Sequence, residues 1–352
     1  MLHFEPMPQF LPIPQTFDSG HLPLLICGLA GVPGYNAFSH FREKYGNQVS
    51  GQRPVKNWPL RGDGIVGCDL EDSDSFRRLL EEKQIKTLLS CGGSCALKSC
   101  ELDPEMAERV NVNCVQKILD AIADTNVRLV HLSIDLVYSG DRDGDYVETD
   151  PCDPVTVYGK TMVAAERLVL EQRPDACILR ISLPMGVSFN GHAGAIDWIQ
   201  NRFAKNKPAT LYYDEIRTPT YVECLNEVIE EVVVRELSGI YHAGGPIRLS
   251  LYQIAQIVNR IGGYDPTLLR GCPRIEAGPI PPRAGNVSMN SSKLLKALGR
   301  DAFHGWPLLE HHLPDSRDWH FERDAVNGEG RRLIEGGVNL VQSHLYRRPV
   351  VF

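Results

Sequence analysis

Three glycines spaced three apart, Gly28, Gly31 and Gly34, follow the apolar run Leu24-Leu25-Ile26-Cys27. An apolar run that breaks at glycine reads as a buried parallel strand, and the segment after it, Tyr35 to Tyr45, has helical character. A strand, a tight glycine turn and a helix N-terminus make an anion site. Glycine lets the backbone approach a pyrophosphate, and the open N–H groups and dipole of the first helical turn favour its negative charge. A dinucleotide is the ligand this chemistry suits, although a glycine-rich turn beside a strand also occurs simply as a turn. The next strand, Asn47 to Gln52, ends near Arg53. An acidic residue there suits a free ribose 2′-OH and an arginine a 2′-phosphate, so Arg53 favours NADP(H) over NAD(H); an exposed loop arginine is the alternative. A fourth strand, Lys86 to Ser90, runs into Cys91-Gly92-Gly93-Ser94, small residues that leave room for a ligand at the sheet rim.

The ten cysteines sit mostly in apolar runs, as reduced thiols packed as small hydrophobes do in a cytoplasmic protein. Cys91, Cys95 and Cys100 lack the spacing of a zinc site, and the adjacent His311 and His312 are poorly placed for one metal, so no metal is expected. A net charge of −7 offers no basic surplus for nucleic acid, and no apolar run approaches a membrane span. No lysine or arginine occurs in the first 40 residues, which excludes a secretory n-region or an Arg-rich transit peptide there.

The elements that must position these residues alternate. Strands at 64–69, 86–90, 128–133 and 177–182 are separated by helical patterns at 74–83 and 104–123, which predicts an α/β fold with a doubly wound parallel sheet. A strand at 239–245 returns to that sheet, and an amphipathic helix follows at 249–261. Trp198 is expected in the core, and His242 as a satisfied histidine inside its strand. The expected organisation is an N-terminal arm over 1–20, a Rossmann domain over 21–186, a smaller substrate lobe over 187–310 and a tail over 311–352. The arm and tail are read as docking or oligomerisation segments.

Several motifs arrive in register. They are Gly28-x-x-Gly31-x-x-Gly34, Asp69, Asn111-Val112-Asn113, Ser133-Ile134-Asp135-Leu136-Val137-Tyr138 and Tyr158-Gly159-Lys160-Thr161. Further along come Arg217-Thr218-Pro219-Thr220-Tyr221, Gly239 to Gly245 and Arg283-Ala284-Gly285-Asn286. From about residue 23 to about residue 308 the chain resembles the extended short-chain dehydrogenase/reductase family in its dTDP-4-dehydrorhamnose reductase branch. The regulatory beta subunit of methionine adenosyltransferase belongs to the same branch.

The resemblance implies roles. Gly28, Gly31 and Gly34 would hold the cofactor pyrophosphate, Asp69 the adenine, and Gly92 and Gly93 the ribose, with Ser133, Leu183 and Pro184 also at the cofactor. Tyr158 would be the proton donor. The family's lysine position is Met162 and its Ser/Thr position Ile134, so the ammonium and hydroxyl that make a phenol a useful acid near neutrality are missing. Lys160 lies on another face of the helix, and Ser133 on the other face of its strand. Lys98 reaching the site, or Asp135 in an altered mechanism, are the substitutes to examine. On the substrate side the resemblance places Asp135, Asn190, Arg217 and Arg283, with Tyr212 and Tyr213 for stacking. The two arginines suit a diphosphate, or else pair with carboxylates inside the lobe. The implied activity is NAD(P)(H)-dependent reduction of a nucleotide-sugar-like carbonyl. The alternative is a degenerate cofactor-binding regulatory or structural subunit, and either would be a homo-oligomer or part of a complex.

Overall fold

Alternation within the apolar runs builds the sheet and both of its covering layers. The computed structural model describes residues 16–57, 59–93, 96–190, 194–322 and 345. Strands β1 (Leu24–Cys27), β2 (Val49–Arg53), β3 (Ile65–Gly67), β4 (Thr87–Ser90), β5 (Arg128–Ile134), β6 (Cys177–Ile181) and β7 (Gly239–Ala243) form one sheet. Its order is β7-β6-β5-β4-β1-β2-β3, with every neighbouring pair parallel. Leu25, Cys27, Leu88, Leu129 and Ile178 face one helical layer, and Leu24, Ile26, Leu89, Val130 and Leu179 face the other. The strand order reverses between β1 and β4. Ligands of such sheets bind at that switch point, beyond the carboxyl ends of the strands.

The helices are α1 (Val32–Tyr45), α2 (Ser73–Glu82), α3 (Leu97–Leu102), α4 (Pro104–Glu108), α5 (Cys114–Ile122), α6 (Val157–Gln172), α7 (Ala195–Ala204), α8 (Val222–Val234), α9 (Leu251–Ile261) and α10 (Ser292–Leu298). The single helix expected over 104–123 is instead α4 and α5 joined through a π-type turn, Arg109–Asn113. That widened turn accompanies the inward aim of Asn111, whose amide donates to Thr161 Oγ1 at 2.9 Å. Helix α9 begins at Ser250 with reciprocal hydrogen bonds to Gln253, a strong local start signal.

A second core fills the lobe, with Ile196, Phe203, Tyr221, Ile254, Ile257 and Trp306 at its centre. It continues past residue 310. Trp319 and Leu345 are buried in it, and Trp306 Nε1 donates to the Leu345 carbonyl at 2.8 Å. The rest of the expected tail from 323 onward, like the arm through residue 15, lies outside the described residues. Phe17, at the end of that arm, is buried against Phe41 and Tyr45. Trp198 departs from expectation: it is 45% exposed on α7, with the Arg202 guanidinium over its ring, because its helix buries the neighbouring face through Ile196 and Ile199. Among the described residues no helix is long and apolar enough to cross a membrane.

Candidate functional site

The glycine turn is a backbone cradle in which two of the three glycines are sterically required. Gly28 has φ +81°, and a Cβ there would lie 2.6 Å from Gly92 N. A Cβ on Gly34 would lie 2.9 Å from the Gly28 carbonyl carbon and closer still to its oxygen. Gly31 differs: a Cβ there would make only ordinary contacts of 3.7 Å, with the Gly28 carbonyl oxygen and the Pro33 ring, and would clash with no protein atom. Gly31 is also the N-cap of α1, with no side-chain cap and no acidic residue in the first turn. A helix start with no side-chain cap and no acidic residue suits an anion. The cradle is braced by Gln52, whose side-chain oxygen accepts from Gly28 N at 3.2 Å and whose amide donates to the Cys68 carbonyl. Gly93 closes the same rim at φ +136°, where a Cβ would press on Asn111 Oδ1 at 2.9 Å. These residues fit a dinucleotide pyrophosphate.

Tyr158 lies in the first turn of α6, which Thr156 caps by accepting from Gly159 N at 2.9 Å. A Cβ on Gly159 would clash with the Leu136 carbonyl, 3.2 Å from its carbon, so this turn of α6 is pressed against the Asp135–Val137 turn that follows β5. That contact brings the Tyr158 turn to the carboxyl end of β5, on the same sheet edge as the glycine cradle. Tyr158 is 8% exposed, Met162 4% and Ile134 9%; both replacements are therefore filled by buried apolar side chains. Lys98 and Lys160 are exposed.

The substrate-side residues form a buried row of alternating charge. Arg217 Nε donates to Asp135 Oδ2 at 2.6 Å, a second Arg217 nitrogen donates to Asp135 Oδ1, and Ser182 Oγ donates to Oδ2 at 2.6 Å. Arg283 Nε donates to Glu215 Oε2 at 2.7 Å, and Glu215 Oε1 lies 3.9 Å from Arg217. Both arginines thus take the carboxylate-pairing alternative. Burial opposes the charge of Arg217, but Asp135 outweighs it, so the guanidinium is held above its usual pKa; Glu215 and Tyr158 act in the same direction. Burial pushes the Glu215 carboxyl up, against the pull of Arg283 and Arg217. Asp135 has no exposed surface, so it does not line an open cleft. Arg283 keeps part of its surface and lies over the Tyr212 ring at 4.7 Å.

The remaining expected positions are dispersed along the rim. Arg53 donates to the Pro54 and Val55 carbonyls, both at 3.0 Å, and exposed Asp69 accepts from Val55 N at 2.9 Å. Leu183 and Pro184 are half-buried where Pro184–Met185 pairs with Thr220–Tyr221. Asn190 is exposed. Ser133 is buried with no hydrogen-bond partner for its hydroxyl among the described residues. His242 Nδ1 donates to the Tyr146 carbonyl at 3.0 Å, and its Nε2 pairs with Tyr138 Oη at 2.9 Å. Burial lowers its pKa to about 4. Among the described residues no cluster of His, Cys, Asp or Glu could hold a metal. Gln52, Ser182 and Glu215 are the site residues that sequence reasoning missed. A polar residue inside a strand or next to its end carries no signal of its partner.

A doubly wound parallel sheet with a glycine cradle at its switch point and a lobe over its edge defines a Rossmann-type protein. The chain belongs to the family described by the RmlD substrate binding domain, whose model matches residues 23–307. It is 25% identical to the probable low-salt glycan biosynthesis reductase Agl14 of Haloferax volcanii, over 69% of this chain and 81% of that one. It is also 25% identical to methionine adenosyltransferase 2 subunit beta of Xenopus laevis, over 77% and 81% of the two chains. The fold superposes with a TM-score of 0.67 on dTDP-4-dehydrorhamnose reductase from Bacillus anthracis in complex with NADP, at 20% identity over 80% of this chain and 95% of that one.

Proposed function

We propose that this chain binds NADP(H) at the Gly28–Gly34 cradle and reduces a carbonyl of a nucleotide-sugar-type substrate, with Tyr158 as proton donor. The observation that carries this reading is the seating of the Tyr158 turn on the Asp135–Val137 turn, at the same sheet edge as the cradle. When bound, the reduced nicotinamide supplies a hydride. Tyr158 supplies the proton to the carbonyl oxygen, and the buried Met162, Ile134 and Leu136 around it keep water from competing. Arg53, once turned from the Pro54 and Val55 carbonyls, is the group that would meet a 2′-phosphate. The residues after 187 would close over the sugar nucleotide, with Asn190 and Arg283 at the margin of the cleft. Without the family lysine the rate should fall about 100-fold or more below that of a fully equipped relative.

The same two replacements favour a second reading, in which the cofactor is bound but not turned over and the chain serves as a subunit of a complex. NADPH consumption with a 4-keto nucleotide sugar, compared with Tyr158→Phe, separates the two. Tyr158-dependent turnover supports the reductase. Bound NADPH without any turnover supports the subunit, and size-exclusion chromatography of the intact chain then reports its assembly.

A further inference from the structure

The start of α1 that forms the anion cradle also carries Asn36, little more than a turn after the N-cap Gly31. The Asn36 amide nitrogen donates two hydrogen bonds of 2.7 Å, one to the Val32 carbonyl in its own helix and one to the Val187 carbonyl, 151 residues away. Both hydrogens of the amide are thereby used. Val187 follows the Pro184–Met185 strand on the way into the lobe, and the chain passes α1 closely there. A Cβ on Gly186 would lie 2.8 Å from Asn36 Nδ2 and 2.5 Å from a Val222 methyl, so the missing side chain at 186 is what lets the two segments meet. Asn226 of α8 donates to the Asn36 carbonyl at 3.4 Å and holds the same turn from behind.

The residue after Val187 is tied the other way. Ser188 is 4% exposed, and its hydroxyl donates to the carboxylate of Asp197 in the first turn of α7. At the N-cap of α7, a Cβ on Gly194 would lie 3.1 Å from a methyl of Val32, the first residue of α1. Two consecutive residues therefore bind the starts of two helices, α1, whose Phe38 and Phe41 belong to the core at the sheet, and α7, whose Ile196 and Ile199 belong to the second core. A side-chain amide on one carbonyl and a carboxylate on the next hydroxyl make a contiguous path from the cradle turn to the lobe.

We propose that Asn36 is a positioning residue that clasps the entry of the lobe to the cradle turn, so that a dinucleotide settling on the start of α1 resets α7 through Val187, Ser188 and Asp197. This rests on the cofactor-binding part of the reading above and deepens it by naming the link from the cofactor to the substrate side. A pyrophosphate held by the first N–H groups of α1 draws on the same turn whose Val32 carbonyl Asn36 grips. The second Asn36 bond carries that change to Val187. By linkage the effect runs in both directions, and a ligand that fixes the lobe tightens the dinucleotide by the same factor.

Trp198, next to Asp197 on α7 and 45% exposed, is a built-in reporter. The test is nuclear magnetic resonance of the full chain carrying isotope-labelled tryptophan, with the Trp198 indole N–H signal assigned by its loss in Trp198→Phe. Saturating NADP+, with binding followed by calorimetry, should displace that signal in the parent. In Asn36→Ala, and in the near-isosteric Asn36→Asp, which has no N–H to offer Val187, the displacement should be lost while calorimetry still shows NADP+ bound. Both variants should also shift or broaden the Trp198 signal before cofactor is added, because α7 has lost its tie. An asparagine that only packs would change stability and leave the cofactor-induced displacement in place. A displacement that persists in either variant, or a parent signal that ignores bound NADP+, would overturn the proposal. If calorimetry shows no NADP+ binding to the parent, the cofactor reading itself fails; the cofactor-free spectra then decide the clasp, and an unmoved Trp198 signal in the two variants would overturn it.

Discussion

Alanine placed at Gly31 and at Gly34 should separate ligand approach from fold integrity. At Gly34 the added methyl would sit 2.9 Å from the Gly28 carbonyl carbon and closer to its oxygen, where ordinary contact is 3.4–4 Å. Relieving that overlap needs a backbone shift of about 1 Å between the β1 turn and α1, a strain costing roughly 1–3 kcal/mol. Gly34→Ala should therefore lower the melting temperature by several degrees and weaken dinucleotide binding together. At Gly31 the nearest atoms to an added methyl are 3.7 Å away, so the fold should be nearly unaffected. The methyl would sit beside the uncapped helix start, where a cofactor pyrophosphate would approach. Gly31→Ala should then lose tenfold or more in NADPH affinity, about 1.4 kcal/mol, with an unchanged melting temperature. Calorimetric titration and a thermal melt on each variant read both quantities. Parent-like affinity in Gly31→Ala would refute the assignment of the cradle to the pyrophosphate.

Three other outcomes follow from the packing. His131 and His242 are buried and neutral, each with a folded-state pKa lowered to about 4 by desolvation. Their stabilisation is fully present above the unfolded value near 6.5 and is lost as pH falls toward 4, roughly 3 kcal/mol for each. His131→Asn should flatten the loss of thermal stability over that interval, and an unchanged slope would contradict the assignment. The Arg180–Glu166 pair is buried with two hydrogen bonds of 2.9 and 2.7 Å, and Arg180 also donates to Tyr138 Oη at 2.6 Å. Glu166→Ala should destabilise by about 3–5 kcal/mol in denaturant unfolding, because it strands a buried guanidinium. Restoring Met162→Lys with Ile134→Thr should raise turnover tenfold or more if the remaining geometry is competent; no gain, measured in the same NADPH assay, would argue that the pocket serves another purpose.

Much of the architecture was legible because its signals are local. The run Leu24 to Cys27 breaking at Gly28 marked β1 and its cradle, and the spacing of strands and helices fixed a parallel sheet. The departures at Met162 and Ile134 were also readable, because the family resemblance implies a lysine and a Ser/Thr at those two positions and helical period puts residue 162 on the face of Tyr158. What stayed hidden was partnership across the chain. Arg217 and Asp135 are 82 residues apart and Arg283 and Glu215 are 68 apart, and nothing local announces which carboxylate an arginine will meet. The same applies to Gln52, whose brace on Gly28 depends on β1 and β2 being neighbours. Trp198 shows the converse failure, because its apolar character predicted burial on a helix whose other face meets the core. The π-type turn at Arg109–Asn113 follows from the tertiary demand on Asn111, which helical propensity does not encode.

A dinucleotide bound at the cradle should be used by Tyr158. Single-turnover consumption of NADPH at excess protein with a 4-keto nucleotide sugar, measured for the parent chain and for Tyr158→Phe, tests this most directly. The parent should show a slow loss of reduced-nicotinamide absorbance that is abolished or cut at least 100-fold in the variant, with equal NADPH binding in both. Equal rates in the two proteins, or no consumption by a parent saturated with NADPH, would contradict it.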